Sequence, residues 1–537
     1  MRKTALIIFA LAAATFAGHA QTAYDALLFS ENNYEGTARS VAMGNAFTAL
    51  GGDLGGISIN PAGSAVAGYS QFSITPSLSL SSTTTQGVSP YSDGTLPYFE
   101  RQMKSNMTRF NIPNFGLSIN WDTGRKTGLK NMSFGFVVNM TNSWNEDVYA
   151  NGHNETTSFM GAMAAEATAN GYLGSELSAD YAYDFFPWKT VVGFDSYMID
   201  TFGGYDDQFV GASELIFNNG DIALGGAIEQ TYGRRTTGSK YEYLFNIGAN
   251  ISDFVYLGAN LGISSINYSS SEYFKEEAID PANFENAQDI YWQSMKYNYN
   301  YSASGTGYFA KVGIIVTPGA GLRIGAAVTT PVVNTIEETW QHSGRTSYTS
   351  AQYDASATSP EGYGSYSFTA PFRANFGLAY TLGQLGVVSA DYEICDYSQM
   401  RYSTSGSDRD YFDSVNADIR ERFGASHMLR AGLEVKPISS LAIRAGYGLT
   451  TSAEKIDSYG NSLETLCTQN ASLGLGYSSP GSFFADLAVK RSFLSDEYFM
   501  PYDDYIFDAE GYVAEYAPEI LNKRSLWKVM ITFGWRF

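Results

Sequence analysis

The chain has 537 residues, 44% of them hydrophobic, yet past residue 20 it holds no run of about 18 apolar residues, which excludes a helical membrane protein. Its 33 Lys and Arg against 54 Asp and Glu give a net charge of −21, a poor match for nucleic acid or an anionic lipid surface. The 54 Gly, 39 Tyr and 34 Phe suit an all-β wall with aromatic girdles.

Arg2 and Lys3 precede the apolar run Ala5 to Phe16, and Gly18-His19-Ala20 offers small residues for cleavage. Residues 1–20 therefore read as a secretory signal peptide. No Cys follows the run, which argues against a lipoprotein anchor. Residues 21–68 do not alternate. They contain a small-residue helix candidate from Ala38 to Leu50 that includes Gly44, a Gly/Asp segment with Asp53, and the triplet Asn60-Pro61-Ala62. Pro61 drives Asn60 out of the α region and turns the chain toward the first strand. This segment is expected to be a small hatch inside the lumen, the other reading being a cap on the periplasmic mouth.

From residue 69 onward the chain alternates with a period of two between turn signals. Tight connections fall at Ile251-Ser252-Asp253, Pro318 to Gly321, Gly383-Gln384, Pro437 to Ser440 and Ser479-Pro480-Gly481, with a longer one from Asp122 to Gly128. They separate about 14 strands, from Tyr69–Ser82 to Ser525–Phe537, an even number that puts both ends in the periplasm. The longest intervening polar stretch is 145–239, in which Phe159 to Leu177 is a helix candidate.

Alternation also assigns the faces. Leu429, Ala431, Leu433 and Val435 oppose Arg430, Gly432, Glu434 and Lys436; Phe372, Ala374, Phe376 and Leu378 oppose Arg373, Asn375 and Gly377. A Lys or Arg facing lipid near the midplane costs roughly 2 to 4 kcal/mol, so the charged set faces inward. Arg323, Arg373, Arg430 and Arg444 are thus lumen candidates for a ligand carboxylate, or for pairing with Asp391, Glu393 and Glu434. The inward glycines leave room for an occupant. Cys395 and Cys467 fall at the outer rim, where they are a candidate disulfide or two thiols. In the last strand Trp527, Val529, Ile531, Phe533, Trp535 and Phe537 share one face. So apolar an edge needs closure onto the first strand.

Gly36 to Phe47, the Gly/Asp segment and Asn60-Pro61-Ala62 after a signal peptide resemble the N-terminal hatch of the FadL/TodX outer-membrane transporters, and the barrel plan extends the resemblance over the mature chain. The resemblance implies a 14-stranded barrel plugged by the hatch, in the outer membrane of a Gram-negative bacterium, that passes hydrophobic molecules such as long-chain fatty acids without energy input. It also implies a kinked third strand with a lateral exit, for which Gly135 is the candidate kink, and outer loops that gather apolar ligand, for which Phe159 to Leu177 is the candidate first docking surface, the other reading being a solvated loop with a packing helix. The partners implied are a hydrophobic small molecule, membrane lipid and lipopolysaccharide, and the barrel assembly machinery acting on the C-terminal strand. No cofactor, metal or enzymatic activity is expected: His153, His342 and His427 sit in loops or at strand ends without an orienting partner. The competing reading is a FadL-like barrel of the PorV type that receives secreted proteins at the cell surface.

Overall fold

The computed structural model describes residues 22–89, 98–216, 222–287, 289–403, 409–456, 467–508 and 511–537; the expected signal peptide lies outside the described residues. Fourteen long antiparallel strands form the wall: β1 Gln71–Val88, β2 Met103–Asp122, β3 Leu129–Ser143, β4 Ile228–Ile251, β5 Val255–Ala278, β6 Ile290–Gly319, β7 Leu322–Thr329 resuming as Val332–Tyr348, β8 Gly362–Ala370 resuming as Arg373–Thr381, β9 Gly386–Asp396, β10 Ala425–Ile438, β11 Leu441–Thr451, β12 Cys467–Ser478, β13 Phe483–Phe493 and β14 Glu519–Arg536. The interruptions in β7 and β8 fall at Pro331 and Pro371, which have no N–H to give to a ladder. β14 closes on β1 from Gln71↔Arg536 to Val88↔Glu519. Phe537 and Ser70 exchange main-chain hydrogen bonds of 3.0 and 3.1 Å, so the apolar last strand has no free edge.

The faces follow the sequence alternation. Leu429, Leu433, Val435, Phe376, Leu378, Trp527, Ile531, Phe533 and Trp535 are exposed on the outside, while Arg373, Arg430, Glu434 and Arg444 are buried inside. Short turns gather at one end and long connections at the other. At the long-loop end β4 to β7 run 9 to 14 residues beyond the ends expected from sequence, which are Lys240, Tyr268, Tyr299 and Asn334. There the outward positions are polar, because no bilayer demands otherwise.

Residues 22–68 fill the lumen. Helix α1, Ala23–Ser30, starts in a capping box in which Thr22 and Asp25 satisfy each other's orphan groups; α2, Ala38–Ala42, is capped by Thr37. Two 3-10 turns follow, Gly55–Ser58 and Pro61–Val66. The inward glycines of the wall are where this segment touches it. A β-carbon on Gly325 would lie 2.6 Å from the carbonyl carbon of Thr48, one on Gly432 2.9 Å from Met43 Cβ, and one on Gly446 2.5 Å from the carbonyl carbon of Met43. The hatch makes its own tight turn there, at Gly44 with φ +63.

The long loops fold into a cap over the outer mouth. Helix α3, Phe159–Ala169, and helix α4, Trp188–Asp195, pack with Phe274, Trp292, Tyr297 and Tyr502 into one apolar core. Of the helix expected from Phe159 to Leu177, Phe159–Ala169 and Gly174–Leu177 are helical with a turn between them, and Phe159, Met160, Met163 and Ala164 are buried in that core, so the longer helix is no docking surface. Helix α5, Arg409–Arg422, closes the other side of the mouth.

Candidate functional site

The hatch is held by side chains that the wall aims inward. Asn60, fully buried, donates from Nδ2 to the carbonyls of Thr48 (2.6 Å), Ile314 (3.2 Å) and Ala326 (3.4 Å), while its Oδ1 accepts from Ala62 N. It thereby ties the hatch to itself and to β6 and β7. Pro61 offers its carbonyl to Asn246 (3.1 Å). Asp53 works within the hatch, accepting from Thr37 Oγ1 (2.6 Å) and Gly55 N (2.9 Å). Asp391 accepts from the main chain and hydroxyl of Thr48 at 2.8 and 2.7 Å.

Each lumen arginine singled out from sequence has a protein partner. Arg444 bridges Glu434 (2.7 Å) and Asp486 (2.5 Å), and Glu434 also receives Arg39 of the hatch at 2.9 Å. Arg430 meets Glu393 at 3.3 Å and donates to Asn375; Arg373 meets Glu393 at 3.1 Å and donates to the carbonyl of Ser30 (2.7 Å). Arg323 donates to the carbonyl of Leu50 at 2.7 Å. Arg373, Arg430 and Arg444 thus face carboxylates of the wall, and Arg323 a main-chain carbonyl of the hatch.

The third strand does break from its neighbour, but not at Gly135. Gly135 is paired in register with Ser118 on β2 and Asn246 on β4. The β2–β3 ladder runs from Asp122↔Asn131 only as far as Asn114↔Asn139, whereas β2 stays with β1 to Met103↔Thr85 and β3 stays with β4 to Ser143↔Ser239. The following strand, Glu146–Asn154, continues on β4 and tucks behind β1, where Thr83 and Thr85 donate to the carbonyls of Asp147 and Tyr149 at 2.5 Å. From Met103 to Pro113 this edge of β2 has no ladder partner among the described residues, although the strand Glu146–Asn154 packs against its inner side. The cause is legible: Pro113 has no N–H, and Pro76 on β1 lies at the same level, where the β1–β2 register also slips between Thr75 and Ser77. The gap opens in the outer half of the apolar band that β2 presents from Trp121 to Phe110.

The hatch seals this gap from within. Asn33 N donates to the carbonyl of Thr141 (2.6 Å) and Glu35 N to that of Met140 (2.9 Å), so the hatch main chain takes the place on β3 that β2 vacates. Glu35 is ion-paired with Lys528, Lys490 donates to Asn33 Oδ1 (2.9 Å), and Lys240 donates to the carbonyl of Phe29 (2.8 Å). On the outer face the Tyr241 hydroxyl reaches the carbonyl of Ile112 at 3.5 Å. Sequence reasoning missed Asn33, Glu35, Lys240 and Lys490; the signal available was Pro113 inside a strand, which marks an edge.

Outward of the seal, α1 sits in an aromatic chamber. Phe29 lies edge-on to Trp144 (6.3 Å) and Tyr268 (6.1 Å), and the surrounding wall carries Tyr301, Trp340, Tyr366, Phe368 and Tyr402. Cys395 lines the same chamber. No disulfide joins it to Cys467: β10 and β11 stand between their strands, about 14 Å of sheet, against the 7 Å limit for a bridge.

A Pseudomonas aeruginosa FadL homologue superposes with a TM-score of 0.50 over 94% of this chain and 98% of its own, at 11% identity. The chain has the FadL/TodX fold. The Pseudomonas putida toluene transporter TodX (TM-score 0.49, 11% identity, 94% and 99% covered) and the Ralstonia pickettii toluene transporter TbuX (0.45, 12%, 95% and 100%) are also similar. No protein-family model and no curated protein matches the chain. In this FadL-type barrel the hatch, the parted wall and the aromatic chamber lie in one continuous stretch of the lumen.

Proposed function

We propose that the protein is a passive outer-membrane channel of a Gram-negative bacterium for hydrophobic small molecules, long-chain fatty acids or compounds of similar apolarity. The observation that carries the reading is the parting of β2 from β3 with hatch main chain as its inner seal. An apolar molecule takes the space of α1 in the aromatic chamber, the segment Asn33 to Glu35 leaves Met140 and Thr141, and the molecule passes sideways into the bilayer. Main-chain groups exposed to hydrocarbon are expensive, so a gap of this kind closes again once it is vacated. The lumen arginines hold the hatch in place.

The test is uptake of radiolabelled oleate and toluene by cells that lack their own hydrophobe channel and express the wild type or Asn33→Pro, which removes the N–H bound to Thr141. Faster uptake than vector-only cells, and severalfold faster again in the variant, is expected. Uptake of both compounds at the vector-only rate from a correctly folded barrel would overturn the reading, and a stoichiometric copurifying protein would then favour the secretion-shuttle alternative.

A further inference from the structure

A cavity lined by charged side chains lies outside the conduit. It is a cleft of about 510 Å³ at the long-loop end, between the turn Tyr397–Gln399, the short strand Arg401–Ser403, helix α5 and the chain at Lys455. Its charged lining is Arg401, Arg420, Lys455 and Asp413. On a chain of net charge −21, three cations gathered against one carboxylate stand out. The side chains of Arg401 and Arg420 make no ion pair or hydrogen bond among the described residues.

The cleft is rigidly built. Asn416, buried under it, accepts from Tyr402 N (2.8 Å) and donates to Tyr402 O (2.9 Å), which locks the strand carrying Arg401 against α5. Lys455 donates from Nζ to the carbonyl of Arg420 (2.9 Å) and from its main chain to that of Arg422 (2.7 Å), fixing the end of α5. Ser398 and Gln399 are held by Asp396 at 2.7 and 3.1 Å. The cleft stands on the long-loop side of the outward-facing pair Tyr392 and His427, joined at 2.8 Å.

We propose that this cleft binds a phosphate monoester on a saccharide. Arg401 and Arg420, which have no carboxylate partner among the described residues, supply two positive charges for a group that carries about −1.5 to −2 at neutral pH, and two guanidinium forks are the donors that grip phosphate oxygens in pairs. The volume falls in the range that encloses a sugar-sized ligand. The phosphorylated sugar has two sources, the headgroup of a glycolipid of the outer leaflet or a free sugar phosphate.

The experiment is calorimetric titration of the full detergent-purified barrel at low salt with glucose 1-phosphate, with glucose, and with lipid A in mixed micelles. Glucose 1-phosphate is expected to bind and glucose not to, with at least a tenfold loss in an Arg401→Gln/Arg420→Gln variant whose heat-modifiable mobility is unchanged. Lipid A held tenfold or more tighter than the sugar phosphate assigns the site to the membrane; equal affinity assigns it to the soluble ester. Absence of binding by both phosphate probes, or an equal loss in Arg125→Gln at the opposite end of the barrel, overturns the proposal.

Discussion

Gly446 and Gly448 are two residues apart on the inward face of β11, and the structure separates their fates. A β-carbon on Gly448 would have Asn470 Cβ as its nearest neighbour, at 3.8 Å, an ordinary contact. One on Gly446 would lie 2.5 Å from the carbonyl carbon of Met43, 2.6 Å from Ser472 Oγ, and closer still to Gly44 N. Carbon contacts settle near 3.5 Å, so the hatch turn would have to retreat by about 1 Å. It has little freedom to do so, because Ser472 Oγ bonds the carbonyl of Ala42 at 3.2 Å and a β-carbon on Gly44 would itself press on Ala431 O at 2.8 Å. Overpacking of this sort costs about 1 to 3 kcal/mol. Drawn from the seated hatch, that raises the displaced population by about 5- to 150-fold. The assay is conductance of reconstituted barrels, with heat-modifiable mobility to confirm that the wall is closed. Gly446→Ala is expected to raise the frequency of open events and Gly448→Ala to match the wild type. Equal behaviour of the two variants would refute the idea that hatch backbone rests on the wall glycines.

Asn60→Ala leaves the Thr48 carbonyl buried without its donor and is expected to weaken hatch seating by about 1 to 3 kcal/mol, read as faster proteolytic release of residues 22–68 from a folded barrel. Leu433→Arg places a guanidinium on the lipid face at a cost of about 2 to 4 kcal/mol and should reduce the membrane-inserted fraction on gels, whereas Leu433→Ile should not. Glu214, buried in the cap, accepts from Gly211 N (2.9 Å) and Tyr505 Oη (3.1 Å); burial raises its pKa above the usual 4.5, and these two hydrogen bonds offset only part of that. A carboxyl with a raised folded pKa contributes stability that is complete below its unfolded value and lost as the pH climbs through the folded one. Limited proteolysis of the cap should therefore quicken from pH 4 upward, and Glu214→Gln should flatten the profile; a wild-type rate independent of pH would contradict this.

Much of the wall was legible because a bilayer enforces one simple pattern. Leu429, Leu433 and Val435 had to face lipid, so Arg430 and Glu434 had to face in, and both faces stand as read. The pattern ends where the bilayer does. Trp292, Met295 and Tyr297 face a protein-filled mouth among polar residues, and the outer ends of β4 to β7, beyond Lys240, Tyr268, Tyr299 and Asn334, were therefore read as loop. Partners were less legible than faces: Arg373 was placed in the lumen, but its bond to the Ser30 carbonyl depends on how a non-alternating segment coils inside. The break in β3 was assigned to Gly135 because glycine permits a kink, whereas the ladder is interrupted by the missing donor of Pro113 on the neighbouring strand. The wall glycines were read as leaving space, and the hatch touches them.

The parted wall has a thermodynamic corollary. Its mouth faces the outer half of the apolar band, so a molecule leaving by it enters the hydrocarbon of one leaflet and never crosses an aqueous step. An opening of that kind changes how fast solute partitions, not where the partition comes to rest. In the channel proposed above, net influx would last only while something on the far side removed solute from the membrane, and the sense of flow would be set by that sink and not by the barrel.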